Sequence, residues 1–258
     1  MIFPYSSGLP EQSCLVNLDS NQDDIFCGVA QATSTTGRKI VIRKVSKTPA
    51  LVGSYYFLPT VWQRNLTLTQ TLQSRGLGLD SSDNVYLIAA DTSSLRSYII
   101  KLNSVGVIQW QRRIDAVQLQ NITVDASGDL YIVGQNTSNN LFIAKYNSSG
   151  TIQWQNKLAG VTYSGKTIYN DGTDLYIMGN VGANGFMFKV PNDGSIPGTG
   201  SYGIVGATLT YSIATQSTTS GTIIEAAATE TNPLQAPLLN YVTNQLYSAS
   251  IIDFVIGL

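Results

Sequence analysis

Ten consecutive residues of this chain return at a spacing of 44. Lys101-Leu102-Asn103-Ser104-Val105-Gly106-Val107-Ile108-Gln109-Trp110 reappears as Lys145-Tyr146-Asn147-Ser148-Ser149-Gly150-Thr151-Ile152-Gln153-Trp154. A third copy, Lys189-Val190-Pro191-Asn192-Asp193-Gly194, begins another 44 residues on. A second motif keeps almost the same step, since Tyr86, Tyr131 and Tyr176 stand 45 residues apart, each just after a turn rich in Asp, Ser and Gly. A period of this length, built from short β-branched and aromatic runs, forces a stack of equivalent β units in which each buries its apolar faces on its neighbours.

Each period resolves into two hairpins. The first joins an apolar run to a Tyr-bearing strand, as in Ile122-Thr123-Val124-Asp125-Ala126-Ser127-Gly128-Asp129-Leu130-Tyr131. The second joins a Lys-bearing strand to a Trp-bearing one through an Asn-to-Gly turn, in which Asn bonds its own backbone and Gly supplies a positive φ. Four short antiparallel strands per period is the plan of a propeller blade. The expected fold is therefore all-β, a propeller-like array of about four four-stranded blades starting near residues 14, 75, 120 and 165, closed or completed by a mixed C-terminal segment. The first unit is the most divergent. Residues 15–19 and 24–28 read as its hairpin and 40–45 as its third strand, with the stretch from Tyr55 to Trp62 as the fourth after an insertion around Pro49. The last unit lacks a closing Trp, and Pro197 stands where its fourth strand is expected.

Composition changes sharply near residue 190. All 15 Lys and Arg lie between Arg38 and Lys189, and residues 190–258 carry only Asp193, Glu225, Glu230 and Asp253 as charged side chains. Three regions follow: an N-terminal arm (1–13), the repeats (14–203) and a C-terminal assembly or closure segment (204–258). Within that segment residues 207–214 alternate like a strand, 216–221 read as a Ser/Thr loop, and 222–229 fit either a strand or a short helix. Charge depletion is a mark of interface cores. Tyr241, Tyr247, Ile251, Phe254 and Ile256 are the candidate contact residues, and residues from about 204 onward are expected to touch other subunits.

The chemistry-bearing residues are few. The chain has no His, which removes imidazole acid–base catalysis, Ser–His and Cys–His pairs and most zinc sites. Cys14 and Cys27 flank the first hairpin; a cross-strand disulfide and two small buried apolar side chains are both open, the second favoured. Asp80, Asp83, Asp125, Asp129, Asp171 and Asp174 recur at turns and form no Asp-x-Asp-x-Asp-Gly loop, so they read as turn formers. Trp62, Trp110 and Trp154 read as packing between units, and Lys101, Lys145 and Lys189 as solvated strand edges. No catalytic, cofactor-binding or metal-binding residue is assigned, and no cofactor is expected. The residues singled out are structural: Tyr86, Tyr131, Tyr176, Gly106, Gly150, Gly194, Trp110 and Trp154. A net charge of −1 argues against nucleic acid as a partner. Neither a secretory signal nor an apolar stretch long enough to cross a membrane is present, so synthesis in the cytoplasm and no membrane partner are expected.

The motif Lys-x-Asn-x-x-Gly-x-Ile-Gln-Trp, preceded by Asp-x-x-Gly-x-Leu-Tyr-Ile-x-Gly, resembles bacterial β-propeller repeat proteins over about residues 75–195. It is loosely similar to quinoprotein blades as well, but with too few blades and no quinone site. The stretch Tyr211-Ser212-Ile213-Ala214 and the small residues after it, to Thr231, resemble the tails that follow such repeats in structural proteins of marine bacteriophages. That resemblance implies a non-enzymatic virion structural protein, tail-associated or on the capsid surface, acting as an assembly or adhesion subunit. Its implied partners are other virion subunits or further copies of itself. A carbohydrate- or receptor-binding module, with a surface glycan as partner, is the alternative, and a polysaccharide-acting enzyme is a weaker one.

Overall fold

The computed structural model describes residues 12–30, 39–52, 55–57, 59–67, 72–91, 95–159, 163–195, 202–204, 207–213, 218–220 and 224–227. All of them belong to one compact unit, Leu9–Ala228. Every helix or strand among them is a β-strand, so the all-β class holds.

The first repeat contributes β1 (Gln12–Leu18), β2 (Asp24–Ala30), β3 (Lys39–Val45), a small hairpin of β4 (Ala50–Val52) and β5 (Tyr55–Phe57), and β6 (Thr60–Thr67). The second has β7 (Leu72–Leu79), β8 (Val85–Asp91), β9 (Arg96–Leu102) and β10 (Ile108–Asp115). The third has β11 (Val117–Val124), β12 (Leu130–Asn136), β13 (Leu141–Tyr146) and β14 (Ile152–Ala159). The fourth has β15 (Tyr163–Asn170), β16 (Asp174–Val181) and β17 (Asn184–Pro191). Within each repeat the strands pair antiparallel in chain order, giving the sheets β1-β2-β3-β6, β7-β8-β9-β10, β11-β12-β13-β14 and β15-β16-β17.

Why these runs become strands is visible in their burial. β8 is buried at every position and β12 at all but one, because each lies inside its sheet with another sheet on either side. Strands covered on both faces read as continuous apolar runs rather than alternating ones. Three hydrophobic cores fill the spaces between successive sheets. Ile25, Ile42, Trp62 and Leu66 of the first repeat meet Val85, Leu87 and Ile100 of the second. Tyr86, Ile88 and Ile99 meet Leu130, Ile132 and Phe142. Tyr131, Val133 and Ile143 meet Ile168, Leu175 and Ile177.

Two readings of the sequence change. The fourth strand of the first repeat is Thr60–Thr67, which keeps Trp62, whereas Tyr55–Phe57 folds back on Ala50–Val52 as a separate hairpin. The inserted residues thus satisfy their own backbone groups and leave the edge beside β3 free for β6. In the C-terminal segment, β18 (Tyr202–Ile204) and β19 (Ala207–Ile213) pair with each other, and β20 (Thr218–Ser220) lies where a loop is expected. The ambiguous stretch contains strand β21 (Ile224–Ala227).

These last strands explain the composition break. β19 pairs with β14, with Asn156 opposite Ile213. Next, β20 pairs with β10, with Ile114 opposite Thr218. β21 then pairs with β6, with Arg64 opposite Ala227. The chain returns over its own repeats in reverse order and adds one antiparallel strand to the outer edge of the third, second and first. An uncovered edge strand exposes a row of backbone donors and acceptors to other chains. Residues 207–227, expected to contact other subunits, therefore meet this chain's own sheets through the described strands. Tyr241, Tyr247, Ile251, Phe254 and Ile256 lie outside the described residues.

Candidate functional site

The recurring side chains come together as one row across each sheet. Register places Tyr86 opposite Lys101, and Lys101 opposite Trp110. The same row in the third repeat is Tyr131, Lys145 and Trp154. In the fourth it is Tyr176 and Lys189, with Tyr169 on the neighbouring strand. In the first it is Ile25, Lys44 and Trp62. Period-2 geometry puts every member of a row on one face of its sheet, which in the first three repeats is the face that meets the next repeat.

Each Trp ring lies on the glycine turn of the following repeat. A Cβ at Gly106 would stand 2.7 Å from the Trp62 ring, one at Gly150 2.9 Å from Trp110, and one at Gly194 2.6 Å from Trp154. These glycines have φ of +79°, +73° and +78°, so the turn conformation and the ring contact both demand the absence of a side chain. The indole N–H of Trp62 donates to the Ser104 carbonyl and that of Trp110 to the Ser148 carbonyl, each at 3.0 Å. That of Trp154 has no partner among the described residues. Two residues beyond Trp110, Arg112 grips the same turn, donating from Nε to the Gly150 carbonyl at 2.7 Å and from a terminal nitrogen to the Ser149 carbonyl at 3.1 Å. Arg64 occupies the equivalent position in the first seam and reaches the Val105 carbonyl.

Lys101 and Lys145 are not solvated edges: their strand is the third of four and lies between two others, so the side chain crosses the row to the ring of its own repeat. Lys189, 55% exposed on β17 at the end of its three-stranded sheet, fits the edge reading. Lys101 Nζ is 5.0 Å from the Tyr86 ring centroid and Lys145 Nζ 5.1 Å from that of Tyr131. Contacts of this kind contribute about 0.5–2 kcal/mol depending on desolvation. Lys101 also donates to the Ser148 carbonyl at 3.2 Å, across the seam. The Lys145 ammonium sits 2.9 Å from Asp129 and the Lys189 ammonium 2.7 Å from Asp174. Lys44 pairs with the buried Asp19 carboxylate.

The turn aspartates are tied in from the other side. One oxygen of Asp80 accepts the backbone amides of Ser82 and Asn84 at 2.9 and 3.0 Å, closing the turn, and the other accepts the Tyr86 hydroxyl at 2.9 Å. Asp125 repeats this with Ser127 and Asp129. Burial pushes the Asp80 carboxyl up, but the hydrogen bonds from Asn84, Tyr86 and Ser82 outweigh it and hold it below the ordinary value. Burial, and then the hydrogen bond to Asp80, push the Tyr86 phenol far above its ordinary value. Burial pulls Lys145 down, yet its bonds to Asp129 and Tyr131 leave it raised. The row is built to hold Asp⁻, neutral Tyr and Lys⁺ side by side over a wide pH range.

The sequence singles out Tyr86, Tyr131, Tyr176, the three glycines, Trp110 and Trp154; the structure brings all of them into these seams except Tyr176, which lies on the outer face of the fourth repeat. Sequence reading misses Lys44 and Asp19 as members of the series, along with the arginine clasp. The signal for Lys44 was its pairing with Trp62 once the inserted hairpin is set aside. In the backbone register Cys14 lies opposite Gly28 and Cys27 opposite Leu15, one position apart. Among the described residues no group of three or more His, Cys, Asp or Glu is placed to hold a metal ion. No protein-family model matches the sequence, and no curated protein matches it.

Proposed function

We propose that this chain is a non-enzymatic, propeller-like scaffold that serves as a structural subunit of a bacteriophage particle, in assembly or adhesion. The observation that carries the reading is how the recurring polar side chains are used. Lys101 and Lys145, Tyr86, the turn aspartates and the indoles of Trp62 and Trp110 bind partners within the chain, and the repeat spreads them along the array instead of gathering them in one cleft. General acid–base catalysis needs titratable groups converging on one substrate position. The four-stranded antiparallel sheets stacked in chain order support the propeller-like arrangement, with β1, β7, β11 and β15 as the inner strands of successive blades. The phage setting rests on the sequence resemblance of the C-terminal region.

The test is immunogold labelling, with antibodies to the chain, of virus particles purified from the source culture. Regular labelling at a fixed position on the particle is expected. Particles that carry none of the chain, with all of it in the unassembled fraction, contradict the reading.

A further inference from the structure

Among the described residues the seam face of the fourth repeat, a three-stranded sheet, is uncovered. Its row reads Tyr169, Tyr176 and Lys189, and the next row on the same face pairs Met178 with Met187. In the second repeat the corresponding pair is Ile88 with Ile99, and in the third Val133 with Ile143. Those four residues are at most 1% exposed, whereas Met178 is 42% and Met187 67% exposed. Tyr169 is 61% exposed beside Tyr176, their rings 6.3 Å apart.

The opposite face of the first repeat is open at matching positions. Val16 and Leu18 occupy the register places of Leu77 and Leu79 in the second repeat, and of Ile122 and Val124 in the third. Ile122 is 5% exposed under the second repeat, but Val16 is 56% and Leu18 53% exposed. One end of the array therefore presents the face that covers a following repeat, and the other end presents the face that receives a preceding one.

We propose that these two ends bind each other between copies of the chain, head to tail, so that the first repeat of one molecule seats on the fourth repeat of another. The argument is continuity: three seams within the chain already bring these register positions together, and the end-to-end contact reuses them without the Trp–glycine contact, since the fourth repeat has no Trp-bearing strand among the described residues. The receiving end is more polar than its internal counterparts, with Arg43 where the second repeat has Ile100. The contact is therefore weaker than an internal seam and depends on concentration. A head-to-tail contact is heterologous, and it builds rings or filaments rather than closed pairs. This inference deepens the assembly reading and rests on it.

The experiment is light scattering of the full chain from micromolar to millimolar concentration, with the variants Met187→Glu and Leu18→Glu. Both sites are exposed, and matching thermal melts verify that each variant folds. The wild type is expected to grow in mass with concentration. Each variant alone is expected to associate at least about tenfold more weakly, because a seam would bury an unpaired carboxylate. An equimolar mixture of the two is expected to recover one contact and stop at a dimer, since one intact tail meets one intact head. Variants that associate as the wild type does, or a mixture that stays monomeric, overturn the head-to-tail surface while assembly through another face stands. A wild type that is monomeric throughout, its ends closed by its own chain or given to a glycan, also overturns this surface. Particle labelling then judges the assembly reading separately.

Discussion

At the scale of single residues the seam is a chain of dependencies. Tyr86 is fully buried, and its hydroxyl has Asp80 as partner. Tyr86→Phe is expected to cost about 1–2 kcal/mol, since the ring stays and a buried charge-assisted hydrogen bond is lost; chemical denaturation measures it. Lys101 has a side chain only 13% exposed and Lys189 one 55% exposed, although they are equivalent by repeat. Lys101→Ala is therefore expected to lower the melting temperature clearly more than Lys189→Ala, and equal effects would contradict the seam role of Lys101. The titrating groups set the pH dependence. The folded-state values of Asp80 and Asp19 lie below 3.8, so their contribution is present above that value and is lost as pH falls through the depressed one. Lys145 is raised above 10.5 and Tyr131 above 10.0, so stability is lost as pH rises beyond these values. With no His in the chain, a flat plateau between about pH 5 and 9 is expected in melting temperature, and Asp80→Asn is expected to flatten the acid side.

At the scale of elements the least expected feature is the C-terminal return. Strands β19, β20 and β21 pair with partners tens to hundreds of residues away, and only the composition marked them out. Local alternation marks residues 207–214 as a strand, observed as Ala207–Ile213, but does not name the edge it joins. If they cover the outer edges, ending the chain at residue 203 should speed hydrogen exchange at Asn156–Ala159, Arg112–Ile114 and Arg64–Thr67 while leaving β8 and β12 protected. Unchanged exchange at those edges would contradict the pairing. The lysine misreading belongs to this scale too. Repeat spacing locates Lys101 on a strand, yet only the sheet order shows that the strand is an inner one. In the first repeat an inserted hairpin and Ile25 in place of a tyrosine hid the motif, so Lys44 and Asp19 came to light only through register.

At the scale of the whole unit, a period of 44–45 residues gave the stacking of equivalent sheets, because a repeat that cannot bury its own faces must borrow its neighbours'. What the period left open was how the array ends. The terminal faces depend on which repeats lack neighbours, and the sequences of Met178, Met187, Val16 and Leu18 look no different from covered seam residues. The account stands on the seam itself, and a double-mutant cycle across it is the most direct test. Gly150→Ala, Trp110→Leu and the double variant would be compared by denaturant unfolding. The ring lies where the new Cβ would go, so Gly150→Ala should cost less once Trp110 is shortened, with a coupling of about 1 kcal/mol or more. Effects that simply add, within about 0.5 kcal/mol, would mean that the third repeat does not rest on the second through this contact.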